Sequence, residues 1–356
     1  LIFLRDGVLL GVPYELGETQ VTGRPFPIAA AQGTNESVEM IDASPGGTVA
    51  YLTRASSIER RQIVSIDSTG TVTPITQGTG SIWLLHDFDP DGRKIFLSTS
   101  SPSGVNSLGI YDRLGNFWTY REGTILRSTW DKFQEDLIVA TLGQRGQSRL
   151  EGISLDDNGE TRSILPDSLA QNSIPIAVSD DSQHLVLIRS NDPFSPGDLW
   201  AVSLYELEKR EVLAREVSHA DVTSDFKWIV YSSRETGNSE VYVQSLEDTE
   251  RKFRISEAGG NHPQWIPDSF TVLYTDNNSN LMSVTIETEP EFRTVSSSAR
   301  YSLQNKNLVD LPFLVDPQTS NLYFIQRQPE ADTGEQVQMI LNLSQDLEKR
   351  DAEAGR

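Results

Sequence analysis

The chain has 356 residues, and its 51 acidic residues against 30 basic ones give a formal net charge of −21. This excess of negative charge repels phosphate backbones and anionic lipid headgroups, so neither nucleic acid nor a membrane surface is an expected partner. The absence of cysteine excludes disulfides, thiolate metal sites and cysteine nucleophiles. No apolar run approaches the roughly 18–20 residues that a membrane helix needs.

The sequence begins with Leu1 rather than Met, and its first five residues, LIFLR, already have the composition of a β-strand. We therefore expect that an N-terminal part, such as a signal or an anchor, precedes Leu1 in the full protein.

An apolar strand segment recurs along the whole chain. In chain order the copies are LIFLR at 1, TVAYLTR at 48, KIFLSTS at 94, DLIVATL at 136, HLVLIRS at 184, WIVYSSR at 228, TVLYTDN at 271 and NLYFIQR at 321. Equivalent apolar positions in successive copies lie 42 to 50 residues apart. A period in the forties, built from short strands, is typical of a β-propeller in which each unit forms one four-stranded blade.

Each unit repeats the same internal order. An inner strand leads into a turn such as DPDG at 89–92, and the recurring segment then forms the second strand. A third strand such as QIVSID, SLGIYD or VQMILNL follows, and an edge-like segment closes the unit. Period-2 alternation favours strands over helices. Gly47 and Gly92 occupy the turn position that requires positive φ, which indicates a structural turn rather than a phosphate-binding loop.

The repeats predict an all-β fold: a β-propeller of eight blades, or of seven if the two end units merge. The predicted single domain spans 1–345, with a charged C-terminal tail at 346–356. The first unit lacks an inner strand and the last lacks a clear fourth, so we expect the two ends to close the ring together. The predicted units are 1–36, 37–80, 81–124, 125–170, 171–215, 216–258, 259–305 and 306–345.

Several stretches resemble a known repeat family. The segments SDFKWIVYSSRETGNSEVYVQSL and GGNHPQWIPDSFTVLYTDNNSNLMSVTI are similar to TolB-type β-propeller repeats. Together with LIFLRDGVLLGVPYE, GIYDRLGNFW and QMILNLSQDLEKR, they most resemble the propeller attached to certain bacterial membrane-bound serine/threonine kinases. The resemblance covers essentially the whole chain and implies the fold rather than a particular ligand. No kinase signature is present, so a kinase or membrane helix would lie outside this chain.

The sequence contains no pattern that indicates catalysis or a cofactor. A Gly-x-Ser-x-Gly nucleophile elbow is absent, as are dinucleotide- and phosphate-binding glycine loops, the His-Glu-x-x-His zinc pattern and the EF-hand loop. We therefore predict that the chain is not an enzyme and holds no cofactor and no metal.

Three residues are candidates for binding. His219 and His262 share a repeat position, each six residues before an aspartate at the turn, which is either a shared ligand position at the channel mouth or a pair of polar strand starts. Phe194 lies between two prolines in NDPFSPG, on the rim formed by the loops between second and third strands, and is a candidate protein anchor. Trp130 and Trp265 also recur in phase, which favours packing between blades over a binding platform.

These observations predict a non-catalytic protein-binding or sensing propeller on the extracytoplasmic side of a bacterial envelope. It would be periplasmic or extracellular, and a subunit of a membrane assembly or tethered to one. One alternative is a gating propeller of a hydrolase whose catalytic domain lies outside this chain. Another is a structural scaffold within a larger complex.

Overall fold

The structure is a computed structural model that describes residues 2–5, 8–12, 14–15, 20–21, 26–30, 36–44, 48–55, 61–76, 81–101, 105–143, 146–155, 160–309, 312–328 and 336–340. The chain divides into two compact units. The smaller unit consists of 1–60 and 329–356, and the larger unit consists of 61–328. Gly47 and the predicted tail at 346–356 lie outside the described residues.

The smaller unit begins the chain. Its first seven strands are β1 (Ile2–Arg5), β2 (Val8–Gly11), β3 (Tyr14–Glu15), β4 (Gln20–Val21), β5 (Phe26–Ala30), β6 (Glu36–Ala43) and β7 (Val49–Ala55). Strands β1, β2 and β5 form one antiparallel sheet, and β3 pairs with β4.

The larger unit consists almost entirely of strands. They are β8 (Arg61–Ile66), β9 (Val72–Pro74), β10 (Ser81–Phe88), β11 (Lys94–Ser100), β12 (Asn106–Asp112), β13 (Phe117–Glu122), β14 (Ile125–Asp131), β15 (Asp136–Leu142), β16 (Ser148–Ser154), β17 (Thr161–Ser163), β18 (Ser173–Val178), β19 (His184–Arg189), β20 (Gly197–Ser203), β21 (Arg210–Val222), β22 (Trp228–Ser233), β23 (Glu240–Ser245), β24 (Lys252–Arg254), β25 (Asn261–Trp265), β26 (Thr271–Thr275), β27 (Asn280–Glu287), β28 (Arg293–Ser302), β29 (Leu314–Val315) and β30 (Leu322–Arg327). The one helix among the described residues is α1 (Asp167–Ala170), and none of them forms a helix long and apolar enough to cross a membrane. The last strand, β31 (Gln336–Ile340), belongs to the smaller unit. It pairs with β7, which lies between β31 and β6 in a three-stranded sheet.

The described strands of the larger unit form six antiparallel blades. Blade 1 is β10–β13, blade 2 is β14–β17 and blade 5 is β25–β28. Blades 3 and 4 are joined in one seven-stranded sheet, β18–β24. Strand β21 is both the last strand of blade 3 and the first strand of blade 4, because Val217 pairs with Gly197 of β20 on one side and with Ser233 of β22 on the other. Blade 6 combines the two ends of this unit in the order β29-β30-β8-β9.

The inner strands contact one another in a closed cycle, β10 to β14, β18, β21, β25, β29 and back to β10. The buried apolar residues of this unit form six clusters, and each cluster joins two adjacent blades. Trp130 packs against Phe96 of blade 1, with ring centroids 5.7 Å apart, and Trp265 lies in the cluster between blades 4 and 5. These contacts confirm the packing role predicted for both tryptophans.

The structure confirms an all-β, propeller-type fold, but it does not confirm eight blades. The six segments at 94, 136, 184, 228, 271 and 321 are second strands of the six blades, as predicted. The other two segments form β1 and β7 of the smaller unit. The prediction counted eight units because periodicity detects strands but does not identify the neighbour with which each strand pairs.

Two predicted third strands have exchanged partners. The sequence order predicts that QIVSID pairs with TVAYLTR and that VQMILNL pairs with NLYFIQR. In the structure, QIVSID lies in β8, which pairs with β30, the strand of NLYFIQR. The described part of VQMILNL lies in β31, which pairs with β7, the strand of TVAYLTR. This exchange joins the first and last strands of the larger unit and closes its ring. The single predicted domain over 1–345 thus corresponds in the structure to two compact units.

The turn between the first two strands of a blade has the predicted structural role. Gly92 has a φ of +62°, and its amide donates to the Asp89 carbonyl at 2.8 Å. A Cβ at Gly92 would lie 2.9 Å from Pro317 of blade 6, so close approach adds to the requirement for glycine. The equivalent positions in blades 3 and 4, Ser182 and Phe226, also have positive φ.

We predict that Phe324→Ala destabilises the larger unit by about 3–5 kcal/mol, as expected for a buried phenylalanine in a packed core. Phe324 is 3% exposed, pairs with Val64 of β8 and packs against Phe313 at 5.2 Å between ring centroids. Denaturant unfolding would measure the loss. The control is Phe133→Ala, because Phe133 is 67% exposed and its removal should change the unfolding free energy by less than about 0.5 kcal/mol. Equal effects of the two changes would contradict the closing role of blade 6.

Candidate functional site

The inner strands of the larger unit surround a central channel, and a cavity of about 400 Å³ lies at the end where these strands reach their turns. Four consecutive blades line it. Its walls comprise Asp87, Phe88 and Asp89 of blade 1, Asp221–Asp225 of blade 4, Gln264–Phe270 of blade 5, and Leu314, Val315 and Pro317 of blade 6.

The cavity combines acidic and apolar groups. Among the residues that the structure describes, its lining contains five aspartates and no lysine, arginine or histidine. The aspartates are Asp87, Asp89, Asp221, Asp225 and Asp268. Phe88, Trp265, Ile266, Phe270, Leu314 and Val315 provide most of the apolar wall. A concave surface of this composition suits a ligand with a positive charge and an apolar body.

Two aspartates at equivalent positions connect neighbouring inner strands. Asp221 accepts a hydrogen bond from the Trp265 amide at 2.7 Å, and Asp87 accepts one from the Trp130 amide at 3.4 Å. In each case the aspartate lies two residues before its own turn and the tryptophan lies on the next blade. The carboxylates are thereby held at the inner surface of the ring, where Asp87 and Asp221 face the cavity.

Arg127 of β14 is the basic residue that acts on both aspartates. Its charge favours ionised Asp87 and Asp221, but their burial dominates and raises the pKa of each carboxyl to about 6. The negative charge of Asp221 raises the pKa of Asp87 further. Above pH 6 the group of Asp87, Arg127 and Asp221 therefore holds two carboxylates against one guanidinium.

The buried histidines add no positive charge to this group. Burial, with a smaller contribution from Arg127, lowers the pKa of His86 to about 3. Ser98 donates to the Ile125 carbonyl at 2.9 Å, so it accepts from His86 Nε2 at 2.7 Å, and His86 Nδ1 carries the lone pair. Burial and the neighbouring His262 also lower the pKa of His219.

The structure brings together the two histidines predicted from the repeat. The rings of His219 and His262 lie 4.1 Å apart between centroids, at an angle of 66°. Among the described residues, no group of three or more histidine, aspartate, glutamate or cysteine side chains could hold a metal ion. His262 also lines a second cavity of about 590 Å³, whose wall includes Asn261, Asn277 and Asn305.

Phe194 lies apart from this channel, in the loop between β19 and β20. Its side chain is 72% exposed, and its amide donates to Asp192 Oδ1 at 3.2 Å. The loop therefore presents the ring to solvent rather than folding it onto the blade. The role of Phe194 as a protein anchor stays a prediction.

A second set of exposed apolar side chains lies at the opposite end of the ring. In an antiparallel blade, the turns joining strands one to two and three to four lie at the same end, which we call the turn rim. Exposed fractions there are 89% for Leu114, 67% for Phe133, 81% for Tyr205 and 41% for Phe270. Phe270 also lines the acidic cavity.

Sequence reasoning missed the pair of aspartates and Arg127. The signal was present in HDFDPDG and ADVTSDF, where an aspartate precedes the turn by two residues in both repeats. It was obscured because the turns themselves are rich in aspartate. Arg127 carried no signal, because its equivalents in blades 4 and 5 are His219 and His262.

Comparison with known proteins supports the fold class. No family model and no curated protein sequence matches the chain. Among solved structures, it is similar to a putative TolB from Agrobacterium tumefaciens, with 14% identity, a TM-score of 0.54, and coverage of 76% of this chain and 99% of that one. It is also similar to TolB from Acinetobacter baumannii, with 12% identity, a TM-score of 0.53, and coverage of 86% of this chain and 77% of that one.

The fold and the channel thus define a β-propeller. More specifically, the fold is that of the TolB-type propellers, as the sequence resemblance implied. At 12–14% identity the similarity shows the fold alone.

We predict that Asp221→Asn stabilises the protein relative to the wild type as pH rises. The folded-state pKa of about 6 exceeds the ordinary aspartate value of 3.8, so the stability contributed by protonated Asp221 is complete below pH 3.8 and is lost as pH rises through 6. Asparagine stays neutral and keeps an oxygen for the Trp265 amide. The variant should gain about 1–2 kcal/mol on the wild type between pH 4 and pH 7.5 in denaturant unfolding.

Arg127→Met should show the opposite slope. Removing the guanidinium leaves two partly buried carboxylates without a counterion, so this variant should lose stability relative to the wild type as pH rises from 4 to 7.5. Its loss at pH 7.5 should be about 3 kcal/mol. Parallel slopes for the two variants would contradict the electrostatic coupling described above.

Proposed function

We propose that this chain is a non-catalytic protein-binding propeller that acts on the extracytoplasmic side of a bacterial envelope, within a membrane assembly or tethered to one. The observation that carries the proposal is the turn rim, where exposed Leu114, Phe133, Tyr205 and Phe270 accompany a concave acidic cavity. Of these four side chains, Phe270 lines the cavity. Exposed aromatic side chains are typical of protein interfaces, where a few anchors supply most of the binding energy.

The charge of the chain supports a protein partner over the other macromolecules. A formal net charge of −21 opposes contact with phosphate backbones and anionic lipid surfaces. The described part of the channel contains carboxylates, neutral histidines and one arginine, without an arrangement of nucleophile and base that would indicate hydrolysis. The resemblance to TolB-type propellers supports the envelope location.

The experiment is affinity capture of the native assembly from cells that produce the full-length protein, followed by variants of each rim. We expect Phe133→Ala and Tyr205→Ala to weaken partner binding by about tenfold or more, because truncating an interface anchor costs about 2 kcal/mol. Phe194→Ala, on the opposite rim, is the matched control and should leave affinity unchanged. Thermal unfolding of each variant would separate lost contacts from lost folding.

Loss of binding in Phe194→Ala alone would move the interface to the other rim, as the sequence predicted. Failure of all three variants to weaken a captured partner would contradict a rim interface. Hydrolysis of a peptide or ester substrate by the purified chain would contradict the non-catalytic role.

A further inference from the structure

We propose that the cavity at the turn end of the channel binds a basic side chain, flanked by apolar residues, from an extended segment of a protein partner. This inference rests on the proposed protein-binding function and specifies the chemistry of the segment.

The first argument is the charge balance of the channel. Asp87 and Asp221 belong to facing parts of the cavity wall, on blades 1 and 4, and Arg127 is the guanidinium that acts on both. His86 and His219 are neutral, so the group retains one uncompensated negative charge above pH 6. The carboxylates accept backbone hydrogen bonds, but a partly desolvated negative charge without a counter-charge is unfavourable, and a cation entering the cavity would offset it. Asp89, Asp225 and Asp268 add negative charge nearer the rim.

The second argument is the shape and composition of the walls. A basic side chain has an apolar stem several carbons long, and Phe88, Ile266 and Leu314 offer apolar surface along the cavity. Phe270 extends this surface to the rim, where it is 41% exposed. A volume of about 400 Å³ exceeds what one side chain fills, so there is room for neighbouring apolar residues of the segment.

The experiment measures binding of a defined probe, acetyl-Gly-Leu-Arg-Leu-Gly-amide, by isothermal titration calorimetry with the purified full chain. The matched control peptide has citrulline in place of arginine, which keeps the shape and removes the charge. We expect the arginine peptide to bind with a dissociation constant below about 1 mM and the citrulline peptide to bind at least about tenfold more weakly, a difference of about 1.4 kcal/mol. The affinity should fall with added salt and at pH 5, where the aspartates become protonated.

Two variants locate the site. Asp221→Asn should weaken the arginine peptide by about tenfold or more, and Asp225→Asn should weaken it by a smaller factor, because Asp225 is exposed whereas Asp221 is half-buried. Asp180→Asn is the control, since Asp180 is an exposed turn-rim aspartate that pairs with Lys132 at 3.2 Å and does not line the cavity. It removes the same formal charge and should change affinity by less than about twofold.

Equal affinity for the two peptides, no binding of the arginine peptide, or equal effects of Asp221→Asn and Asp180→Asn would overturn the inference. Calcium binding that Asp221→Asn abolishes, without binding of the arginine peptide, would assign the site to a metal and also overturn it. These outcomes are independent of the proposed function. A captured partner that binds Asp221→Asn as well as the wild type would leave that function intact while refuting this site.

Discussion

The packing of each blade against its two neighbours is the constraint on which the larger unit depends. Its buried apolar side chains are not collected at one centre but divided among six clusters, one at each junction between blades. A blade at an open end would expose one complete apolar face. Pairing β30 with β8 removes that end, because it lets blade 6 pack on both blade 5 and blade 1.

Ring closure also involves polar contacts at the turns. Arg113 of blade 1 donates to Asp316 of blade 6 at 2.6 Å, and the Asp316 side chain is 1% exposed. A buried carboxylate that accepts a charge-assisted bond constrains orientation as well as distance. The contact therefore fixes how the first and last blades meet, whereas the apolar clusters mainly require that they do meet.

The same arrangement explains the electrostatics of the channel. Six inner strands converge on one axis, so polar side chains that are far apart in sequence come within range of one another. Asp87, Arg127 and Asp221 belong to three different blades, so each charge in this group acts on residues of other blades. Their pKa values consequently depend on the assembled ring and not on any one repeat.

Particular residues show how far the sequence could be interpreted. The period of strands such as KIFLSTS and WIVYSSR identified the second strand of each of the six blades, since each has a local pattern of apolar residues, but it also counted two segments of the smaller unit as blades. The partners of QIVSID and VQMILNL could not be predicted, because either segment satisfies the alternation of a third strand. Similarly, the phase of His219 and His262 gave them the same repeat position, but the association of Asp221 with Asp87 depends on positions around the ring.

Strand β21 has a consequence for how the ring can open. Most neighbouring blades are joined by a connecting segment, but β21 runs from Arg210 to Val222 as one strand that hydrogen-bonds to both blade 3 and blade 4. Val217, fully buried, is paired on both sides. Blades 3 and 4 therefore form one cooperative unfolding unit, and their amides should exchange with solvent together. New chain ends for a circular permutant belong at another junction, because a cut here would sever the backbone of two sheets at once.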